Sequence, residues 1–335
     1  MCTTSFSKCG SWLVVCATCV ALFGVVFAQQ ERGGAANDLS NDGVRAAVLE
    51  VAATIAREYM DPAVAERVAG TLRRRLSDGQ YSSLTNVEVL AARLTDDLSL
   101  ETQDKHLRVA VVKPHATTTP TSTRALDVAR TNGGVQRVEI LSGNVGYLNL
   151  TAFWRVEEAS EMIADAMRLL ARAEALIIDM RQNTGGSPDT VALTAGYFFD
   201  QDAMPLFQIV PRMGEPVSYA TPPLSPRDRN GRRPVSVLTS SRTFSAGEGF
   251  AFLLQERRRA EIIGERTAGA ANPGRAYRVS SSFEVTIPNG RVRSAVGGGN
   301  WEGRGVIPDV EVAAADALTV AQARAMKRLT DKNQR

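Results

Sequence analysis

Ala175-Leu176-Ile177-Ile178-Asp179-Met180-Arg181-Gln182-Asn183-Thr184-Gly185-Gly186-Ser187-Pro188 reads as a strand that runs into a glycine turn, with a helix to follow. Its first six residues are mostly apolar without alternation, as in a parallel strand covered on both faces. Residues 234–239 repeat the pattern, with a helix starting near Ser245, and residues 260–264 form a third such run. Strand, loop, helix, strand is the order left by crossover units on a mostly parallel sheet. The fold class is therefore α/β.

Working outward, residues 137–141 and 146–150 read as strands that lead into an amphipathic helix over about 157–172. Downstream, short strands and Gly-rich turns run to Val312, and a closing helix covers 317–329. Upstream the apolar period is helical. Val44, Val48, Val51 and Ile55 form one stripe, Val64, Val68, Leu72 and Leu76 a second, and Val87, Leu90, Leu94 and Leu98 a third. Asp61-Pro62 restarts the second helix with a capping residue and a first-turn proline. From His106 the period becomes that of a strand (Leu107, Val109, Val111), and the Thr/Pro-rich stretch 114–123 reads as an exposed loop. The expected division is a leader over 1–28, a flexible lead-in over 29–43, a helical bundle over 44–102 and a core domain over 103–329. No internal repeat is visible.

Composition narrows the chemistry. With 335 residues, 44% of them hydrophobic, the chain can bury a sizeable core. A net charge of +3, from 39 basic and 36 acidic residues interspersed along the chain, gives no electrostatic case for a nucleic-acid partner. Arg257-Arg258-Arg259 reads as a solvated last helical turn. Lys8, the apolar run from Trp12 to Phe27 and the small Ala28 together read as an export leader, so a secreted or periplasmic location is expected. A membrane partner follows only if that segment is kept as an anchor. All four cysteines lie inside it, at positions 2, 9, 16 and 19. Once it is cleaved, no disulfide, cysteine nucleophile or thiolate metal site remains. His106 and His115 are the only histidines and lack metal-binding spacing, so neither a metal nor an organic cofactor is expected.

Four pieces carry chemistry. In Thr243-Phe244-Ser245-Ala246-Gly247-Glu248-Gly249-Phe250, a buried strand delivers Ser245 to the start of a helix, where free N–H groups can stabilise an oxyanion. A serine at such a turn is more often a plain N-cap. Asn183-Thr184-Gly185-Gly186 can expose further N–H groups, although a glycine pair after a strand is usually an ordinary turn. A serine hydroxyl needs a base to act as a nucleophile near neutral pH. His106, at the start of a strand, is better fixed for this than His115 in the Thr/Pro loop. Glu302, in Trp301-Glu302-Gly303-Arg304-Gly305-Val306-Ile307-Pro308-Asp309, is an acid of the kind that orients a base, though alone it reads as a surface glutamate.

The ordered set, joined by Ile263-Gly264-Glu265-Arg266-Thr267-Ala268-Gly269, resembles the tail-specific (carboxy-terminal processing) serine peptidases. It is most similar to the branch holding the tricorn core protease and the interphotoreceptor retinoid-binding protein modules, over about residues 44–325. The resemblance implies a crotonase-like (ClpP-like) spiral core of β–β–α units behind an N-terminal helical bundle. It implies Ser245 as nucleophile, His106 as base, Glu302 as a supporting acid, and Ala246 with Gly185 or Gly186 as oxyanion-hole amides. Two departures bear on this. Ala270 stands where serine–lysine members carry their lysine, which leaves His106 indispensable, and Lys105 stands where the tricorn pattern has a serine beside its histidine. The stretch between His106 and Gly146 is also too short for the usual PDZ domain. The expected function is hydrolysis of peptide bonds in exported proteins or peptides, with a peptide or protein substrate as partner and a homo-oligomer left open. The rival is a non-catalytic module that binds a retinoid, a fatty acid or another apolar ligand. The trio Ser245, His106 and Glu302 favours the enzyme.

Overall fold

The structure, a computed structural model, describes residues 38–112, 120–225, 228–229 and 231–334. The leader expected over 1–28 and His115 lie outside the described residues. Among those described, no helix is long and apolar enough to cross a membrane.

Three helices open the fold: α1 (Asn41–Glu58), α2 (Pro62–Ser77) and α3 (Val87–Thr102). Each start is capped by a side chain that accepts free N–H groups, Ser40 for α1, Asp61 for α2 and Asn86 for α3. Strand β1 (Arg108–Val111) follows, then α4 (Pro120–Arg130). The end of the expected 114–123 loop is thus helical, with Pro120 in the first turn, where its missing N–H costs nothing.

The main sheet takes β2 (Val135–Leu141), β3 (Val145–Leu150), β4 (Ala175–Asp179), β7 (Val235–Thr239), β8 (Glu261–Gly264) and β12 (Val310–Glu311), in the order β12-β8-β7-β4-β3-β2. Every neighbouring pair is parallel except β2 with β3. Helices α5 (Val156–Leu169), α6 (Pro188–Gly196) and α7 (Ala246–Glu256) cover one face, and α8 (Ala317–Asn333) covers the other. Strand β4 displays the reason for its apolar run. Leu176 and Ile178 enter the core under α5–α7, while Ala175 and Ile177 enter the core under α8.

Two small sheets complete the fold. Strand β11 (Gly290–Ser294) pairs with β5 (Pro205–Pro211), which pairs with β6 (Val217–Ala220). Strand β1 pairs with β10 (Phe283–Pro288), which pairs with β9 (Gly274–Arg278). Phe283, Val285 and Ile287 of β10 share one core with Leu72, Leu94 and Leu98 of the opening helices. The three-arginine run is not a solvated last turn. Helix α7 ends at Glu256, Arg257 donates to the Pro205 carbonyl at 2.5 Å and Arg259 to that of Phe198 at 2.6 Å, and only Arg258 is exposed. Capping carbonyls at the ends of other elements outweighs hydration for these two guanidinium groups.

Candidate active site

Strands β8, β7 and β4 lie side by side and parallel, so the loops at their C-terminal ends emerge together. Loops in that position form the crevice where open α/β sheets bind ligands. The loop after β7 carries Ser245, the loop after β4 carries Gly185 and Gly186, and the loop after β8 runs through residues 267–272.

Ser245 is the residue before α7 and holds φ 53° and ψ −119°, a conformation side-chain-bearing residues seldom adopt. Such strain persists only where the surroundings over-determine it. Here the surroundings are Glu248, fully buried one turn into the helix. Its carboxylate accepts the Ser245 N–H at 2.8 Å, the Thr267 hydroxyl at 2.6 Å, the Gly269 N–H at 2.6 Å and the Ala270 N–H at 2.9 Å. Burial pushes its pKa up, against those bonds. At the position where a lysine would reach the serine in a serine–lysine enzyme, Ala270 offers a backbone amide to Glu248 instead. Sequence reasoning passed over Glu248, although Ser245-Ala246-Gly247-Glu248 has capping-box spacing, which flags an acid turned back on its own helix start.

The Asn183 side chain is the second organiser. It donates to the Leu150 carbonyl at 3.0 Å and accepts the Gly185 N–H at 2.8 Å, while its backbone carbonyl accepts the Phe244 N–H at 2.9 Å. This corrects one expectation, because the Gly185 amide is occupied. The N–H groups of Gly186 and Ala246 donate to no other described residue. Gly185 serves by being small, since a Cβ there would lie 2.7 Å from the Ser245 Cβ.

His106 enters from the connection between α3 and β1. Its Nε2 lies 3.1 Å from the Ser245 Oγ, across 139 residues of chain. Its backbone N–H donates to Asp104 Oδ1 at 3.0 Å, and its ring packs on Phe244 with centroids 4.8 Å apart. Lys105, alongside, donates to the Ala268 carbonyl at 2.5 Å. Burial, helped by the nearby Arg108 charge, pulls the imidazole pKa down to about 4, so at neutral pH the ring is uncharged. An uncharged imidazole facing a hydroxyl is what general-base activation of a serine requires.

Glu302 makes no hydrogen bond with His106. Its Oε2 accepts the N–H groups of Ala271 at 2.6 Å and Asn272 at 3.0 Å. Its Oε1 and the His106 Nδ1 are both buried and bond no other described residue. Burial raises the Glu302 pKa. Asp104, which the sequence reading left out of the site, is pushed up to about 7 by burial and then by the Glu302 charge.

Beside Ser245 lies a cavity of about 60 Å³. Ser245, just before α7, and Ala246, Gly249 and Leu253 of α7 line one side, and none of the lining residues carries a charge.

Residues 144–312 match peptidase family S41, and residues 40–134 match the N-terminal domain of that family as found in eukaryotic IRBP. The chain belongs to peptidase family S41. It is 28% identical over 174 residues to the carboxy-terminal processing protease CtpB of Bacillus subtilis (strain 168), covering 50% of this chain and 34% of that protein. The chain thus spans about a third of the length of the curated relatives it matches. Among solved structures, a putative peptidase from Parabacteroides merdae ATCC 43184 superposes with a TM-score of 0.57 at 18% identity, covering 86% of this chain and 97% of that one. The tricorn protease superposes with a TM-score of 0.52 at 14% identity, covering 86% of this chain and 37% of that one. These structural likenesses establish a shared fold.

Proposed function

We propose that this chain is a serine peptidase that hydrolyses peptide bonds through an acyl-enzyme on Ser245. The observation that carries the reading is the 3.1 Å approach of His106 Nε2 to Ser245 Oγ. His106 takes the hydroxyl proton as Oγ bonds to the scissile carbonyl carbon, then gives that proton to the departing amine as the C–N bond breaks. Water adds to the ester by the same route in reverse and frees Ser245. The Gly186 and Ala246 amides receive the oxyanion, each such donor contributing roughly 3 kcal/mol. Glu302 supports the site by holding the amides of residues 271–272 beside it. No step calls for a metal or an organic cofactor.

The substrates are exported proteins or peptides, in keeping with the leader over 1–28 ahead of the bundle at 44–102 and the core at 103–329. The cavity weighs against an apolar-ligand carrier. At about 60 Å³ it is smaller than the roughly 150 Å³ cavity that holds one benzene ring, and so well short of a long acyl chain or a retinoid.

A fluorophosphonate probe tests the reading. The expected result is labelling at Ser245 that disappears in Ser245→Ala and falls at least ~10³-fold in rate in His106→Ala. Absence of labelling in folded protein would refute it.

A further inference from the structure

We propose that Tyr59 and Asp104 are positioning residues for the base: a hydrogen-bonded brace runs from the end of α1 through these two side chains and sets the His106 imidazole opposite Ser245. This deepens the peptidase reading and rests on it.

The need for a brace lies in the chain around His106. Helix α3 stops at Thr102, Gln103 leaves it in the left-handed conformation at φ 56°, and β1 begins only at Arg108. His106 thus sits in a connection that neither a helix nor a sheet ladder fixes. Yet its Nε2 must stay within bonding reach of an oxygen 139 residues away. A misplacement of about 1 Å in such a contact can cost roughly a hundredfold in rate.

Asp104 supplies the constraint. It is almost wholly buried, and its Oδ1 accepts the N–H of His106, two residues on, at 3.0 Å, which makes an Asx turn. Its backbone carbonyl accepts the Leu107 N–H at 3.2 Å, and its own N–H donates to the Thr102 hydroxyl at 3.2 Å. An Asx turn holds the backbone only as firmly as its carboxylate is held. Here the second oxygen, Oδ2, accepts the Tyr59 hydroxyl at 3.2 Å, across 45 residues of chain. Burial pushes the phenol pKa up, so Tyr59 keeps its proton and remains the donor.

Tyr59 is itself fixed from several sides. It closes α1, its N–H donating to the Ile55 carbonyl at 3.0 Å. Arg212, in the loop between β5 and β6, donates to the carbonyls of Tyr59 at 2.8 Å and Ala56 at 3.0 Å. The N–H of Met60 donates to the Pro288 carbonyl of β10 at 2.9 Å. The brace is therefore anchored on two strands outside the helical bundle. It also costs the fold something, since burial and then the Glu302 charge push the Asp104 pKa up to about 7. A side chain that only filled space there would be uncharged.

The test measures the rate of fluorophosphonate labelling of Ser245. Tyr59→Phe removes one oxygen and should slow labelling ~10-fold. Asp104→Ala frees the turn and should slow it ~100-fold. Asp104→Asn keeps an acceptor for the His106 N–H and a polar partner for Tyr59, and should regain at least ~10-fold over Asp104→Ala. In a His106→Ala background the same changes should slow the residual labelling by less than ~2-fold, because the brace acts only through the imidazole. Circular dichroism and urea midpoints establish that each variant is folded. Parental labelling by folded Tyr59→Phe or Asp104→Ala, Asp104→Asn no faster than Asp104→Ala, or equal losses without His106 overturns the brace, and labelling of the parent chain then leaves the peptidase reading standing. Should Asp104→Ala not fold, Tyr59→Phe with and without His106 decides alone. No labelling of the parent chain removes the peptidase reading and this one with it.

Discussion

The two halves of the proposed catalytic pair, Ser245 and His106, are held in opposite ways. Around Ser245 the buried polar groups are satisfied by short hydrogen bonds: Glu248 alone takes four donors, and Asn183 ties the glycine loop to the strand beside it. Around His106 the anchoring is by packing on Phe244 and by one backbone bond to Asp104, and two buried polar atoms, His106 Nδ1 and Glu302 Oε1, stay open. Buried polar atoms without partners are rare and costly in stable cores. The nucleophile half is built as a rigid frame that can carry strain, whereas the base half is held mainly by packing.

That contrast can be broken by mutation. Glu248→Gln sets an amide N–H₂ against backbone N–H donors and should lower kcat about 10²–10³-fold with KM changed less than about threefold, as loss of a preorganised oxyanion site does. Glu302→Gln, which leaves an oxygen for the two loop amides, should cost only about tenfold. Steady-state kinetics on the two variants decides the matter, and equal losses would erase the distinction between the halves. Gly185→Ala forces a Cβ against Ser245 at a φ of 93° and should cost roughly 10–100-fold in the labelling rate of Ser245, with the fold retained by circular dichroism.

The pH dependence sharpens the comparison from the other side. With the imidazole pulled down to about 4, the acid limb of kcat/KM should lie near pH 4, so activity at pH 5.5 stays close to maximal. An ordinary imidazole would already have lost about nine-tenths of it, and a limb at 6.5 or above would show that His106 is not desolvated as described. Stability carries the smallest signal. Asp104, raised from 3.8 to about 7, binds a proton in the folded state that the unfolded chain has lost, so its contribution falls as pH rises from about 4 to 7. His106, lowered from 6.5 to about 4, contributes the opposite slope between those values. Asp104→Asn should therefore gain stability relative to the parent between pH 5 and pH 8, as read from urea midpoints.

The strands and helices that frame the site were legible because their periods are unambiguous. Residues 175–180 could only be a covered strand, and the run into Ser245 could only be a strand-to-helix turn. The value of His106 was legible by default, as the better placed of two histidines. What the sequence hid were properties that depend on distant neighbours. A glutamate at position 248 between two glycines looks solvent-facing until loop 267–270 closes over it. Gly185 and Gly186 look equivalent until Asn183 claims one of the two amides. Polar, arginine-bearing strands such as 290–294 lack a helical or strand-like apolar stripe, so the sheet that walls the cavity did not stand out from the turns around it. Nothing in the sequence marks the Asp104 carboxylate, which stands out only through its burial, its bond from the Tyr59 hydroxyl and the nearby Glu302 charge.

Strand β1, which carries the chain away from His106, has its hydrogen-bonding partner in β10, some 170 residues further on. A growing chain of only the first two hundred and seventy residues therefore has the His106 connection but lacks the strand that pairs with β1. The frame around the proposed Ser245–His106 pair is thus complete only once residues 283–288 of β10 have been made.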